Sequence, residues 1–227
     1  MTSLTNNNLN PNSSGEDNRI IAYPDFILNQ KNKKLTVKNF GEIVASLNAF
    51  FLDYLKGYNI PVAYLKKTEN KSIQSLNVTD FRFRVKILNA ADSRNARIFS
   101  IKRGTALELP VMEYHFGDSK DSVITESHLI SFNLCSYEEL KMVNRLCSKI
   151  NAIIKSFFER RNLLLLELTC RFGKFDGKIY LIDDFSPMSI KILSSKSEDN
   201  LPDPYKIETA VQLKKYSNFL LKLTSGD

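Results

Sequence analysis

Cysteine and histidine are scarce in this chain of 227 residues, which has three of the first and two of the second. Cys135, Cys147 and Cys170 are widely spaced, odd in number and form no CxxC pair. This pattern favours reduced thiols over a disulfide framework. His115 and His128 do not stand at ligand spacing with the cysteines, so a metal site built on these residues is not expected.

Long apolar runs are also missing, and none approaches the ~18 residues that a membrane-spanning helix needs. Residues 1–18 lack the basic start, the apolar core and the cleavage site of a secretory signal. Asn, Ser, Pro and Gly dominate this stretch, which predicts a disordered tail over residues 1–18. We therefore expect a cytoplasmic protein without a membrane partner.

Two common nucleotide-binding motifs do not occur. The chain contains neither GxGxxG nor GxxxxGK followed by Ser or Thr, which excludes Rossmann and P-loop domains. The hydrophobic fraction of 43% is nevertheless large enough for a substantial core, so global disorder is not expected.

The net charge of +7 is compatible with phosphate-bearing partners and equally with a solvated basic face. Basic residues interleave with Phe81 and Phe83 in one segment, which raises the hypothesis of nucleic-acid binding. Alternation puts these phenylalanines on the opposite face from Arg82 and Arg84, whereas an RNA-binding sheet exposes aromatic and basic groups together. Nucleic acid is therefore an unlikely partner.

Periodicity and capping patterns predict the main elements. Asn39 with Glu42 indicates the start of a first helix, and Ser136 with Glu139 forms a capping box before a second, long helix. Asp203-Pro204 indicates the start of a last helix. Alternation or a continuous apolar run predicts strands over residues 81–88, 163–172 and 178–183. This order of elements predicts an α+β fold with antiparallel sheets and packed helices.

The predicted hairpin 163–183 contains the most informative polar residues. Alternation places Glu167, Thr169 and Arg171 on one face of the first strand, with Leu166, Leu168, Cys170 and Phe172 on the other. Asp183 and Asp184 end the second strand. Adjacent carboxylates suit Mg²⁺, which prefers oxygen ligands, although an ordinary acidic turn before a proline has the same pattern.

Several segments, taken in order, resemble the SAICAR synthetase family. Residues 163–173 are similar to a family strand that reads Asp-Phe-Lys-Leu-Glu-Phe-Gly, and residues 183–188 are similar to Asp-Glu-Ile-Ser-Pro-Asp. Further matching segments are Phe50–Leu55, Asn59–Pro61, Gly104-Thr105, Pro110–Glu113, Glu126–His128 and Lys149–Asn151. The resemblance runs from about Ile20 to Leu223. It implies a two-lobed architecture, with a small lobe over residues 19–80 and a larger, ATP-grasp-like lobe over residues 81–227.

The resemblance also implies a chemistry. Family members phosphorylate the carboxylate of carboxyaminoimidazole ribonucleotide with Mg²⁺-ATP, and the amine of L-aspartate then forms an amide in purine biosynthesis. By position, the resemblance implies catalytic roles for Glu167, Arg171 and Lys191, and ATP and Mg²⁺ binding by Asp183 and Asp184. It implies substrate-binding roles for Ser93, Glu113, Glu126 and His128. A homo-oligomer is a further expectation.

Departures from the family pattern leave the activity open. Thr169 stands where the family strand has lysine, Arg171 where it has glutamate, and Met188 where the acidic motif has its last aspartate. A hydroxyl cannot neutralise phosphate charge, and a thioether supplies no hard oxygen ligand. Two hypotheses follow: a ligase with impaired activity, or a catalytically inactive paralogue (a pseudoenzyme) that binds a nucleotide or a protein partner.

Overall fold

The computed structural model describes residues 17–29, 32–117, 122–182, 185–194 and 201–225. These residues form a mixed α+β fold, which confirms the predicted class. The helices are α1 (Phe40–Lys56), α2 (Ser93–Ile98), α3 (Glu126–Ser131), α4 (Tyr137–Glu159) and α5 (Ala210–Lys222). The strands are β1 (Asn18–Ala22), β2 (Phe26–Leu28), β3 (Lys34–Thr36), β4 (Tyr64–Glu69), β5 (Ser72–Leu76), β6 (Thr79–Ala90), β7 (Ala106–Phe116), β8 (Val123–Ile124), β9 (Leu163–Phe175), β10 (Lys178–Leu181) and β11 (Ile190–Ser194).

The strands form three antiparallel sheets. A three-stranded sheet has the order β1-β5-β4, and β2 pairs with β3. A six-stranded sheet has the order β10-β9-β6-β7-β8, and β11 also pairs with β9. The change of sheet falls between Leu76 and Thr79, close to the boundary predicted between lobes at residue 80. The division into two lobes, 19–80 and 81–227, stays a prediction.

The predicted tail needs one correction at its end. Residues 1–16 lie outside the described residues, but Asn18 begins β1 and pairs in register with Leu76 of β5. The polar Asn18 fits in this strand because its side chain is exposed, as are those of Ile20 and Ala22 at alternate positions.

The predicted hairpin and long helix are confirmed. β9 and β10 are adjacent and antiparallel, with Leu181 opposite Phe172. Helix α4 begins after Ser136, whose hydroxyl accepts from the Glu139 amide at 3.2 Å while the Glu139 carboxylate accepts from the Ser136 amide at 2.8 Å. Its apolar face packs on the sheet, where Ile150, Ile154 and Cys170 are buried in one core.

The first helix begins after Asn39 as predicted but lacks the predicted cap, and the predicted start of the last helix is wrong. Asn39 has a left-handed backbone and makes no side-chain cap on α1; instead the Asp25 carboxylate accepts from the Gly41 amide at 2.9 Å. The last helix begins after Thr209, which forms a capping box with Gln212. The Asp203 carboxylate accepts from the Tyr205 amide at 3.0 Å and so stabilises a turn, not a helix.

The main core lies between the six-stranded sheet and the helices. It includes Phe51 of α1, Phe157 of α4 and Tyr216 of α5, all buried. Across the described ranges, no helix combines the length and the apolarity that crossing a membrane would require.

Candidate active site

The face of the six-stranded sheet turned away from α4 carries a group of charged side chains. In the strand register Lys86 of β6 lies opposite Glu113 of β7 and opposite Thr169 of β9. Glu167 of β9 lies opposite Leu88 and opposite Lys191 of β11. Directly opposite residues of a sheet share a face, so three neighbouring strands and β11 direct polar groups to one place.

Lys86 is at the centre of this group. Its Nζ is 3.3 Å from Asp92 Oδ2, 3.4 Å from Glu113 Oε2 and 3.8 Å from Glu167 Oε2. Burial acts to lower the pKa of Lys86, but the three carboxylates outweigh it and raise the pKa above its usual value. The ammonium group is therefore charged at neutral pH. We call Lys86, Asp92, Glu113 and Glu167 the Lys86 cluster.

Glu113 is buried and surrounded by donors. Arg94 forms an ion pair with its Oε1, Asn95 Nδ2 donates to the same oxygen at 3.1 Å, and His115 Nε2 lies 3.4 Å from Oε2. Burial acts to raise the pKa of Glu113, but His115, Lys86 and the other donors lower it to about 2. The carboxylate is thus ionised at any pH near neutrality.

Glu167 reaches this face beside a β-bulge. Lys191 pairs with Glu167 and Ile192 with Leu165, so Leu166 is the extra residue on β9. The core-facing positions therefore change from Leu163 and Leu165 before the bulge to Leu168 after it. The prediction that Leu166 shares a face with Leu168 is wrong: Leu166 lines a pocket on the polar side, because a bulge shifts the alternation by one residue.

Glu167 has the opposite electrostatic balance from Glu113. Burial raises the pKa of Glu167, and Lys86, Lys191 and a hydrogen bond from Tyr205 offset that effect only in part. Lys191 is itself buried, and its Nζ donates to the carbonyl of Pro187 at 2.9 Å. A buried carboxylate with a raised pKa can accept a proton from a substrate group.

The structure thus brings together three residues that the sequence singled out, Glu113, Glu167 and Lys191. Arg171 points along the same face of β9, where its Nη2 is 3.3 Å from Asp80 Oδ2. Arg19 of β1 contacts the other oxygen of Asp80 at 3.2 Å, so Asp80 links the two sheets. Ser93 is exposed in the first turn of α2, next to Asp92, which caps that helix by accepting from the Asn95 amide at 2.8 Å.

Glu126 and His128 lie elsewhere, on α3. The Glu126 carboxylate accepts from Tyr114 Oη at 2.7 Å and from Asn144 of α4 at 3.0 Å. Tyr114 follows Glu113 on β7 and points to the opposite face of the sheet. His128 Nδ1 takes part in the capping box with Thr125. A substrate-binding role for Glu126 and His128 stays a prediction.

The acidic pair Asp183-Asp184 lies outside the described residues, and its role in binding ATP and Mg²⁺ stays a prediction. Its neighbour Phe185 is held from both sides by Asn48 of α1, which accepts from the Phe185 amide at 2.9 Å and donates to its carbonyl at 3.4 Å. Met188 offers no oxygen ligand in its side chain. Within the ranges that the structure describes, no three His, Cys, Asp or Glu residues are placed to hold a metal ion.

Sequence reasoning missed Lys86, Asp92 and Tyr205 as parts of this site. Lys86 lies in the strand segment of alternating basic residues, and its three acidic neighbours come from other segments of the chain. One signal in the sequence could have linked the two residues: Asp92 follows Lys86 by six positions, where β6 ends and α2 begins. Tyr205 gave no signal, because the turn that carries it was interpreted as the start of a helix.

Comparison with known proteins identifies the family. The family model described as SAICAR synthetase matches residues 16–206. The phosphoribosylaminoimidazole-succinocarboxamide synthase of Prosthecochloris aestuarii is 29% identical over 157 residues, which cover 68% of this chain and 67% of the relative. That of Acidithiobacillus ferrooxidans is 26% identical over 163 residues, covering 71% and 68%.

Solved structures agree in fold. The crystal structure of the synthase from Ehrlichia chaffeensis has a TM-score of 0.81 at 21% identity, with 92% of each chain covered. A SAICAR synthetase solved in complex with ADP has a TM-score of 0.82 at 18% identity, with 95% of this chain and 94% of that chain covered. The chain therefore belongs to the SAICAR synthetase family, the ligases of purine biosynthesis.

Proposed function

We propose that this chain joins L-aspartate to carboxyaminoimidazole ribonucleotide in an ATP-dependent reaction, and that its turnover is slow. The Lys86 cluster is the observation that supports this best. It places a half-buried cation, Lys86, among carboxylates at the place where β6, β7 and β9 lie side by side. Family membership supports the reaction class, and the ADP complex of a relative supports a nucleotide as ligand.

The Lys86 cluster and the neighbouring Lys191 have groups suited to both anionic substrates. Lys86 and Lys191 supply positive charge that can hold the carboxylate of the imidazole nucleotide. Glu167 is suited to accept the proton that the aspartate amine releases as it attacks, because its pKa is raised. Glu113, ionised and held by Arg94, is suited to fix the position of Lys86.

ATP, when bound, supplies the phosphoryl group that activates the carboxylate. The described residues alone do not make a Mg²⁺ site, because the acidic pair lies outside them and Met188 carries no oxygen donor. We therefore assign no step to the metal. Slow turnover is proposed because Thr169 provides no charge for the phosphoryl oxygens, and a lost transition-state contact reduces rates by about 10²–10³-fold.

The test is a product assay on the purified protein with ATP, aspartate and the imidazole nucleotide, beside an intact family member. We expect product at a rate more than about tenfold below that control, and no product from Lys86→Met. Turnover within tenfold of the control would contradict the impairment, and equal product from Lys86→Met would contradict the site.

A nucleotide-binding pseudoenzyme is the second candidate, favoured by the substitution at Thr169. A thermal-shift series with ATP, ADP and AMP, each with and without Mg²⁺, separates the two, because a ligand that binds the folded state raises its stability. A pseudoenzyme would be stabilised by nucleotide and give no product at any enzyme concentration.

A further inference from the structure

His115 and Lys86 approach the same oxygen of Glu113. His115 Nε2 and Lys86 Nζ each lie 3.4 Å from Glu113 Oε2, which is longer than the ordinary nitrogen-to-oxygen hydrogen bond of about 2.7–3.2 Å. Among the described residues, neither Glu113 Oε2 nor His115 Nε2 has a hydrogen-bond partner, although both atoms are buried. One carboxylate oxygen is therefore shared by two basic groups, and neither of them completes a hydrogen bond to it.

The other oxygen of this carboxylate is fixed from helix α2. Arg94 forms an ion pair with Glu113 Oε1, and Asn95 Nδ2 donates to the same atom at 3.1 Å. The carboxylate therefore cannot turn away from His115 and Lys86. The positions of these two side chains determine which of them donates to Oε2.

The strands beside His115 contribute charge from one side only. On β6, Arg84 is directly opposite His115, and its guanidinium donates to the Gly117 carbonyl. Arg171 of β9 lies one strand further, opposite Arg84. On β8 the residue opposite His115 is Val123, which does not titrate.

The remaining charged groups meet at the carboxylate that His115 faces. Lys86 reaches it from β6 and Arg94 reaches it from α2. A proton on His115 is favoured by the negative charge of Glu113 and opposed by these neighbouring cations. Among the cations, Lys86 contacts the same oxygen as His115, so the two side chains compete directly.

We propose that His115 is a positioning residue whose protonation determines how Lys86 is held. When His115 is neutral, Glu113 Oε2 attracts the Lys86 ammonium. When His115 takes up a proton, its imidazolium pairs with Oε2 and repels Lys86, which moves toward Glu167 Oε2, 3.8 Å away. Histidine is suited to this role because it ordinarily titrates near neutral pH. The inference rests on the proposed function, in which Lys86 holds the substrate carboxylate, but its first test does not need turnover.

The first test is an NMR titration of the histidine rings. The chain has two histidines, and the absence of one resonance from His128→Gln assigns both. We expect the His115 midpoint to rise by about one pH unit in Lys86→Met, because the competing charge is lost, and to stay in place in Lys86→Arg, which keeps the charge. His128, in the capping box of α3, is the internal control and should not move.

Two results of this titration would overturn the proposal. One is a His115 midpoint that is the same in Lys86→Met as in the wild type. The other is a His115 ring that does not titrate between about pH 5 and pH 9 in the folded wild-type protein.

A second measurement uses the wild-type chain, because Lys86→Met is expected to be less stable. In protein labelled with ¹³C at the lysine Cε, the Lys86 resonance, assigned by its absence from Lys86→Arg, should shift at the midpoint of His115. His115→Phe keeps a ring of similar size and removes the titrating group, so the step should vanish there. A merely structural role of His115 would give no step in the wild type, and that result would also overturn the proposal.

The activity assay separates this inference from the proposed function. If product forms, the KM for the imidazole nucleotide should fall as the pH is lowered through the His115 midpoint, by about threefold more than in His115→Phe, the size expected for one partly exposed ion pair. If the two groups are coupled and no product forms, the proposed function fails and the role of His115 stands. If product forms and the two groups are not coupled, the reverse holds.

Discussion

Glu113 and Glu167 contact the same ammonium group, Lys86 Nζ, at 3.4 and 3.8 Å, yet their pKa values move in opposite directions. Both carboxylates are buried. Glu113 also accepts from Arg94 and Asn95 and lies 3.4 Å from His115 Nε2, whereas Glu167 also faces the charge of Asp92. The same cation therefore contacts two carboxylates with different surroundings. The groups around Glu113 outweigh its burial and lower its pKa, whereas those around Glu167 do not outweigh its burial.

The pH dependence of stability should show this difference. Glu113 has a folded pKa of about 2 against an ordinary 4.5, so its ionisation stabilises the fold above about pH 4.5 and that contribution is lost as the pH falls toward 2. Glu113→Gln should lower the free energy of unfolding by about 3 kcal/mol at neutral pH, with the deficit shrinking in acid. Urea unfolding across this pH range measures it.

Glu167→Gln provides the contrast. Because the folded pKa of Glu167 is raised above 4.5, stability is lost as the pH rises through the window between the two values. The amide variant should therefore be at least as stable as the wild type at neutral pH, and should lose that advantage below about pH 4.5. A large loss of stability in Glu167→Gln at neutral pH would contradict the burial argument.

Lys86→Met should unfold more easily than Lys86→Arg. Removing the half-buried ammonium leaves the three buried carboxylates of the Lys86 cluster without their shared cation, which we expect to cost about 3 kcal/mol. Chemical denaturation at neutral pH measures the loss, and acid should reduce it as carboxylates take up protons. Lys102→Met, at an exposed position, is the matched control and should change stability by less than about 0.5 kcal/mol.

Thr169→Lys should increase product formation. Thr169 shares a face with Lys86, to which it is directly opposite, and a lysine there restores charge for the phosphoryl oxygens. We expect a gain of about 10²-fold in kcat. Thr169→Met, similar in length but uncharged, should give no gain. Equal rates for the two variants would show that charge at this position does not limit the reaction.

The buried amides of Asn89 and Asn151 should show strong coupling. They exchange two hydrogen bonds, of 2.9 and 2.8 Å, between β6 and α4. Either Asn→Leu substitution alone strands a buried amide, with an expected loss of about 1–3 kcal/mol, whereas the double variant should recover part of that loss. A double-mutant cycle from urea unfolding measures the coupling; additive losses would contradict it.

Elements with strong local signals were predictable from the sequence. Helix α4 has a capping box and an uninterrupted apolar face, and the β9–β10 hairpin has an apolar run before a glycine turn. The errors occur where a long-range hydrogen bond or a β-bulge overrides the local sequence pattern. Asp25 makes the capping hydrogen bond expected of Asn39 at the start of α1, and a bulge on β9 moves Leu166 away from the core.

The site was predictable only in part for the same reason. Glu113, Glu167 and Lys191 could be singled out by resemblance, but their convergence on Lys86 depends on the register of β6 with β7 and β9. Register is determined by the packed sheet and not by any one strand. The opposite pKa shifts of Glu113 and Glu167 depend on that convergence and so lay beyond sequence reasoning.

The pair of hydrogen bonds between Asn48 and Phe185 has a consequence for how the newly made protein folds. The two residues are 137 positions apart, so this contact cannot form on the ribosome until β9 and β10 have been synthesised. Helix α1 can pack on β4 and β5 earlier, but its contacts with Phe185 and with α5 form last, and contacts of such long range slow folding. Newly made chains should therefore leave the part of α1 that faces Phe185 and α5 exposed for longer than the surfaces that α4 and β9 bury against each other. We expect a chaperone to bind that part of α1.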